Sequence, residues 1–271
     1  MSTAGTPTLY IEGVAFWAPT LPGWDVARAA FRGEGAPADP PAKRPSPQVL
    51  APAERRRAPD TVALALEVAG ASVAASGRAA ADLPCVFASA HGDLAINDYM
   101  CATLATAPTQ LSPIKFHNSV HNAAVGYWTI GTGCQQASNS LSAFDNTFAA
   151  ALLEAAAQCA ADAQPLLLVG FDAEAVGPLK QVHVSEGLLA GGFVLAPQRT
   201  ERTVAAVDWT LVHGPADRAA LQSAAAQALP PNAISDLLPL FEALATLPPD
   251  GTRLRMPLSP QLALELTLRP A

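Results

Sequence analysis

The feature that most constrains the fold is an alternation of strand-like and helix-like segments through the first 175 residues. Strand-like segments are rich in β-branched, aromatic and apolar residues, and helix-like segments repeat apolar residues at helical spacing. In chain order they are a strand over 8–17, a helix from Asp60, a strand over 84–90, a helix over 93–107, a helix over 144–162 and a strand over 165–173. This order predicts a layered α/β fold in which helices cover a sheet.

The remaining segments are less regular. Residues 34–53 are too rich in proline for a helix interior and predict a surface loop. After residue 175 the patterns predict strands over 186–198 and 203–212, helices over 216–228 and 233–246, and a terminal strand in "LALELTL".

The composition indicates one substantial core. Half of the 271 residues are hydrophobic and 14% are charged, which fits one domain, or one domain with a small appendage. A net charge of −7 and a pI near 5.1 argue against a nucleic-acid partner, which requires clustered cations. The one basic run, Arg55 to Arg57, indicates a solvated helix start or local ion pairs, and the alternative is a grip on an anionic ligand.

The chain carries no sequence sign of export or of a metal or redox centre. The first residues lack a signal-peptide pattern and no stretch reaches about 18 apolar residues, so we expect a cytoplasmic protein that does not contact a membrane. Cys85, Cys101, Cys134 and Cys159 occur singly, which predicts free thiols. No phosphate-binding fingerprint is present, and we expect no cofactor.

The stretch "FHNSVHNAAVGYWTIGTGCQQASNSLSAFDNTFAAALLEAA", residues 116–156, has the composition of a catalytic site. Ser142 and Asp145 stand three apart before an apolar helix, close to a capping box in which each side chain binds the other's backbone donor. The alternative is a nucleophilic Ser142. That role needs an adjacent base, and the charge of Asp145 would oppose an oxyanion, so capping is favoured.

His117 and His121 are four residues apart, a spacing that places two imidazoles on one face of a helix as in two-histidine metal pairs. No third ligand is near in sequence, and zinc sites normally use at least three protein ligands. The pattern therefore favours a loop oriented by imidazole and amide hydrogen bonds, and we expect no metal.

Several motifs follow one another in an order found in a known family: "LYIEGVAFWAPT", "DTVALALEVAGASVAASG", "LSPIKFHNSVHNAAVGYWTI", "SNSLSAFDNTFAAALLEAA", "PLLLVGFDAEA" and "EGLLAGGFVLA". On these motifs, residues 9–198 resemble the N-terminal half of β-ketoacyl synthases, the condensing enzymes of fatty acid and polyketide synthesis. The resemblance implies a thiolase-like layered α/β fold with a truncated or degenerate C-terminal half. It implies a domain over 1–200 and a short segment over 201–271 packed on the same core.

The departures from the family pattern concern catalysis. Where the family has its reactive cysteine, a gapless placement puts Ala143, or Ser142 if the register slips by one. The family's two catalytic histidine motifs do not occur, and after residue 200 the only histidine is His213. The resemblance therefore implies a subunit that is inactive alone and forms no acyl-enzyme by the family's route.

Within the family, the chain looks like the short chain-length-factor-type subunits of aryl polyene pigment and polyketide synthesis. Such subunits pair with a full-length β-ketoacyl-ACP synthase in polyketide or fatty-acid-type chain elongation and lend one wall to its acyl channel. The strand "QASNSLS" would be an interface edge. The residues expected at the acyl channel or the interface are His117, Asn118, His121, Asn122, Gln135, Ser138, Ser140, Phe144 and Phe148.

The resemblance also implies how the carrier protein is reached. Acyl carrier proteins are acidic and a chain at −7 would repel them, so docking is expected on the partner synthase. Two other functions remain open. One is a divergent acyltransferase or hydrolase with Ser142 as nucleophile and His117 or His121 as base. The other is a scaffold or acyl-binding protein that uses the fold without pairing.

Overall fold

The computed structural model describes residues 6–271, in which nine strands form one sheet and helices cover both of its faces. The strands are β1 (Leu9–Ala18), β2 (Leu21–Pro22), β3 (Cys85–Ala88), β4 (Ser138–Leu141), β5 (Leu166–Asp172), β6 (Leu189–Ala196), β7 (Thr203–His213), β8 (Thr252–Ser259) and β9 (Leu262–Pro270). The helices are α1 (Trp24–Phe31), α2 (Pro52–Arg57), α3 (Asp60–Ser76), α4 (Leu94–Thr106), α5 (Pro113–His117), α6 (Ala123–Thr132), α7 (Thr147–Asp162), α8 (Ala224–Gln227) and α9 (Leu238–Thr246).

The sheet runs in the order β4-β3-β5-β6-β1-β7-β9-β8, with β2 paired to β1. β4, β3 and β5 are parallel, and the remaining neighbours are antiparallel. The predicted layered α/β architecture is therefore confirmed. Strands from beyond residue 200 continue the sheet built by the first 200 residues, so both predicted segments share one sheet.

Two hydrophobic cores lie on opposite faces of the sheet. One is covered by α3 and α6 and contains Phe87 and Trp128. The other is covered by α1, α7 and α9 and contains a cluster of aromatic rings that includes Phe148, Phe193 and Phe241. Phe148 belongs to this second core and is fully buried.

The predicted helix over 216–228 is wrong over most of its length, because only α8 (Ala224–Gln227) is helical there. The reason is a tertiary contact that competes with the helical propensity of an alanine-rich segment. The backbone N–H groups of Gln222 and Ser223 donate to the two carboxylate oxygens of Glu242, at 2.8 and 2.6 Å. Held in this way, the chain begins its helix only after Ser223, whose hydroxyl accepts from the Ala226 N–H.

The two edges of the sheet differ in character. β8, which the sequence did not predict, has the sequence "TRLRMPLS", with two arginines and a proline that discourage a further strand from pairing. β4 has the sequence "SNSL", with neither a charge nor a proline. The edge at β4 is thus open to another strand.

The hydrogen bonds of β4 show which of its backbone groups are free. The carbonyl oxygens of Ala137 and Leu141 accept from β3 and its continuation, at 3.0 and 3.2 Å. Because backbone groups alternate in direction along a strand, the N–H and C=O of Ser138 and Ser140 point away from the sheet. These two residues form the outward face of the open edge.

Candidate functional site

The candidate site lies where the parallel strands β3 and β5 end beside each other. The Ser89 hydroxyl donates to Oδ1 of Asp172 at 2.5 Å, and the Ala90 N–H donates to Oδ2 at 2.8 Å. Asp172 is fully buried. Burial raises the pKa of this carboxyl to about 7, although the Ser89 and Ala90 hydrogen bonds act to lower it.

Three histidines surround this pair of strand ends. The Nδ1–H of His91 donates to the Gly92 carbonyl at 3.1 Å, and the same nitrogen lies 3.6 Å from Oδ1 of Asp172. The His91 ring meets the His183 ring edge to face, with centroids 5.4 Å apart. The Nε2–H of His121 donates to the Ser89 carbonyl at 2.9 Å.

The pKa of the His91 imidazole is lowered in this setting. Burial is the main cause that lowers its pKa, and the neighbouring His183 and His121 act in the same direction. Its Nε2 atom is buried without a hydrogen-bond partner. Neither His91 nor His183 was predicted as a site residue from the sequence. They come together because the loops that follow the adjacent strands β3 and β5 converge.

The turn from β4 into α7 lies beside this histidine cluster. Phe144 has a left-handed backbone, with φ of 52°, a conformation that is uncommon for a residue with a large side chain. Its ring stacks against His183 at a centroid distance of 4.6 Å and remains 54% exposed. Asp145 follows, with Oδ1 3.7 Å from Nε2 of His183.

Such outliers concentrate at functional sites, so the left-handed residue makes this turn a candidate for one. The gapless placement predicted Ala143 at the family's nucleophile position, with Ser142 as the alternative, and the left-handed residue is the one directly after Ala143. Across Ser142, Ala143 and Phe144 the turn offers no thiol in any of these registers.

The capping prediction for Ser142 and Asp145 is wrong. The Ser142 hydroxyl donates across the sheet to the Ala90 carbonyl at 2.7 Å. The first turn of α7 is stabilised by other groups: the Thr147 hydroxyl accepts from the Ala143 N–H at 3.0 Å, and Oδ2 of Asp236 accepts from the Ala149 N–H at 3.0 Å. The sequence could not show this, because Asp236 lies 87 residues from Ala149.

We predict that a fluorophosphonate probe leaves Ser142 unlabelled. Its hydroxyl proton is committed to the Ala90 carbonyl, the His121 ring is bonded to the Ser89 carbonyl, and the His117 ring faces Tyr127 instead. No base is therefore hydrogen-bonded to this hydroxyl. Intact-mass spectrometry would check this, with a serine hydrolase as the positive control. Stoichiometric labelling that Ser142→Ala abolishes would instead support the acyltransferase or hydrolase function.

A second prediction concerns Asp236. Burial raises its pKa to about 7, although the Ala149 N–H and the Arg218 guanidinium act to lower it. A carboxyl near 3.9 when unfolded and near 7 when folded stabilises the fold fully below about pH 4, and this contribution is lost as the pH rises to 7. Asp236→Asn should therefore raise the free energy of unfolding at pH 8 by on the order of 4 kcal/mol.

The gain from Asp236→Asn should shrink steadily between pH 7 and pH 4. Over that range the carboxyl of the folded wild type is protonated, whereas that of the unfolded chain is still ionised. Urea unfolding of both proteins at pH 8, 6.5 and 5 measures the difference. A difference that stays constant with pH would contradict a raised pKa at this carboxyl.

The residues predicted for the acyl channel or interface divide into exposed and buried groups. His117, Asn122, Gln135 and Ser138 are exposed, and His121 and Ser140 are half-buried. Asn118 is buried with its Oδ1 atom unpaired. Phe148 faces the core behind the turn, directly over Gly170, and not the exposed surface.

A cavity of about 570 Å³ opens beside Phe144. One wall is formed by the turn and by the loop that carries His183, and the other by residues from Arg218 to Leu238. The Arg218 guanidinium donates to the Asp145 carbonyl at 2.8 Å and ties the two walls together. The segment after residue 200 thus contributes directly to the site.

Within residues 6–271, no group of three or more His, Cys, Asp or Glu side chains is placed to hold a metal ion. His117 and His121 in particular face different partners, Tyr127 and the Ser89 carbonyl. All four cysteines are free thiols, as predicted, and Cys85, Cys134 and Cys159 are buried. Over the same residues, no helix is long and apolar enough to cross a membrane.

Comparison with solved structures shows the fold. A chain in the complex of the ketosynthase ApeO with its chain length factor ApeC from Xenorhabdus doucetiae is 20% identical, with a TM-score of 0.70 over 96% of this chain and 99% of that one. A chain of the ishigamide ketosynthase/chain length factor is 15% identical, with a TM-score of 0.71 over 97% and 99%.

A longer synthase matches over a smaller share of both chains. The β-ketoacyl synthase from Burkholderia phymatum STM815 is 14% identical, with a TM-score of 0.58 over 78% of this chain and 66% of that one. No curated protein sequence matches significantly. The family model described as β-ketoacyl synthase, N-terminal domain, matches residues 30–237. The chain therefore has the thiolase-like fold expected from its motifs, and it belongs to the β-ketoacyl synthase family.

Proposed function

We propose that this chain is a non-catalytic, chain-length-factor-like subunit that pairs with a full-length β-ketoacyl-ACP synthase. The complex would act in aryl polyene or polyketide synthesis, or in fatty-acid-type chain elongation. Two of the similar solved structures are complexes of a ketosynthase with a chain length factor, and the chains matched there are covered almost completely. The longer Burkholderia synthase is covered by only 66%.

The observation that carries the proposal is the open edge at β4. Natural sheets protect exposed edges with charges or proline, as this chain does at β8, because an unprotected edge pairs with other strands. β4 lacks such protection and directs the backbone groups of Ser138 and Ser140 outward. A strand of the partner synthase would satisfy these groups and hide the edge.

Exposed apolar side chains on the segments that flank β4 in the chain and in the loop after β5 support the same conclusion. Large hydrophobic residues are exposed on α5, between α5 and α6, on α6, at the turn after β4 and in the loop after β5. They are Ile114, Phe116, Val120, Ile130, Phe144, Leu179, Val182 and Val184. Ile130, at 81% exposure, lies on the helix that leads into β4. Concentrations of this kind mark sites of protein–protein contact.

The absence of a nucleophile at the turn favours a supporting role over catalysis. Ser142 is hydrogen-bonded to a carbonyl, and Phe144 fills the space beside the histidine cluster. In addition, the Asp236 carboxylate already binds the N–H of Ala149 at the start of α7, where a nucleophile or an oxyanion would gain most from the helix dipole.

In this proposal the exposed site residues His117, Asn122, Gln135 and Ser138 contact the partner, with His121 and Ser140 at the margin. Phe144 forms the wall that the chain presents to the partner's acyl channel. Phe148 supports the turn from the core. Acyl carrier protein docks on the synthase, because the net charge of −7 on this chain repels an acidic carrier.

The test is to co-express the tagged chain with a full-length synthase encoded beside it and to measure the mass of the purified product. A 1:1 complex that elongates acyl chains, with acyl groups found only on the synthase, is the expected result. A chain that remains monomeric and binds no synthase would refute the proposal and favour an unpaired scaffold.

A further inference from the structure

A second cavity, separate from the Phe144 turn, lies between the proline-rich loop and the start of α4. Its volume is about 760 Å³, within the range of small-molecule sites. Its walls come from residues 43–61, from the first turn of α4, from α5, and from the segments that follow β5 and precede β6. The basic run Arg55 to Arg57, for which the sequence left open a grip on an anionic ligand, contributes Arg57 to its lining.

The charged side chains that line this cavity leave unpaired positive charge. Its acids are Asp60, Asp93 and Glu174, and its cations are Lys43, Arg44, Arg57 and Lys115. Asp60 pairs with Arg44 at 2.8 Å, and Glu174 lies 3.4 Å from Lys180, which is outside the lining. Asp93 accepts from the Thr61 hydroxyl and from the Ile96 N–H. Each of the three acids therefore already has an ion-pair or hydrogen-bond partner within the chain.

Two of the lining cations have no ion-pair partner among the described residues. Lys43 and Arg57 form no ion pair with any of residues 6–271, and Lys115 lies over the Tyr99 ring, 3.6 Å from its centroid. Residues 43–57 as a whole carry five cations and one acid, in a chain whose net charge is −7. The rim of this cavity is thus a local positive region.

The inner wall offers a different group. Asn118 lines the cavity and is only 4% exposed, and its Oδ1 atom has no hydrogen-bond partner. A buried amide oxygen without a donor is costly, and native proteins rarely leave one unsatisfied. A ligand that reached this wall with an N–H or O–H group would satisfy it.

We propose that this cavity binds a small anion, a phosphate or a carboxylate, that also carries a hydrogen-bond donor. Lys43 and Arg57 hold the anionic group at the rim, and Asn118 accepts from the donor. Guanidinium and ammonium groups bind both kinds of anion through charge-assisted hydrogen bonds. The inference does not depend on the proposed pairing with a synthase.

Calorimetric titration of the full chain with pairs of matched anions tests the proposal. Inorganic phosphate carries an O–H at pH 6.5 and sulfate does not, and hydroxymalonate differs from malonate by one hydroxyl. In at least one pair, the donor-bearing anion should bind saturably and several-fold more tightly than its partner. The pair that responds tells a phosphate site from a carboxylate site.

Variants locate the binding. Lys43→Gln and Arg57→Gln should each weaken binding by about tenfold, because each removes one charge-assisted hydrogen bond. Arg56→Gln is the matched control, because Arg56 lies on the same helix but outside the lining, and it should leave the affinity unchanged. Asn118→Leu should preserve folding, followed by circular dichroism, and abolish the preference for the donor-bearing anion.

Two results would overturn the proposal. One is the absence of saturable binding of all four anions up to about 10 mM, which would mean that water alone satisfies Asn118. The other is an equal loss of affinity in Arg56→Gln and Arg57→Gln, which would mean that the anions respond to diffuse surface charge.

Discussion

Ser140→Pro is expected to weaken the complex with the partner synthase by about 100-fold while leaving this chain folded. The N–H of Ser140 points away from β3, so a proline costs no hydrogen bond within the chain. At the interface it removes one donor, leaves an acceptor of the partner strand unsatisfied, and places its ring where that strand would lie.

Two variants of the same strand make this experiment specific. Ser140→Ala keeps the backbone donor and should bind the synthase normally. Asn139→Pro places the proline on the side that faces β3, and it should destabilise the chain itself. Binding is measured by biolayer interferometry and folding by thermal melting. If Ser140→Pro bound the synthase as tightly as the wild type, the β4 edge could not be the interface.

Phe148→Ala is expected to lower the free energy of unfolding by about 3–5 kcal/mol, the usual cost of truncating a buried aromatic side chain. The ring is fully buried, with centroids 5.9 Å from that of Phe241 and 6.3 Å from that of Phe193. It also lies against Gly170, where even an added Cβ atom would come within 2.5 Å of it. Urea denaturation measures the loss.

Phe144→Ala is the matched control for Phe148→Ala. Its side chain is 54% exposed, so its removal should change the stability by about 1 kcal/mol or less. In the complex, the product length should depend more on Phe144 than on Phe148. Phe144→Ala should alter the product length, and Phe148→Ala should act only through unfolding. If Phe148→Ala changed stability only mildly and also changed product length, the result would support the sequence prediction that Phe148 lies at the acyl channel.

The elements that the sequence predicted well are those with local signals. α3 and α7 repeat small and apolar residues over four turns or more, and β5 is a continuous apolar run, so periodicity and length were sufficient. β8 was missed because its arginines and Pro257 hide the strand pattern. The helix over 216–228 failed because Glu242 binds backbone N–H groups that a local pattern assigns to a helix.

The site was predicted only in part, for a similar reason. The open strand and the missing thiol could be recognised from the motif order. The motif order could not reveal the cluster of Asp172, His91 and His183. These residues become neighbours only when β3 and β5 pair. The cap at α7 likewise depends on Asp236, a residue in the C-terminal segment, where the helix and strand patterns are weakest.

The unequal edges of the sheet would limit the size of the proposed assembly. A sheet with two open edges can add subunits at both ends and extend into a fibril, whereas a sheet with one blocked edge stops after a single addition. Arg253, Arg255 and Pro257 block the far end of this sheet, and only the end at "SNSL" remains to be joined. In the proposed complex, these three side chains on β8 would therefore make a closed pair, and not a polymer, the end point of association.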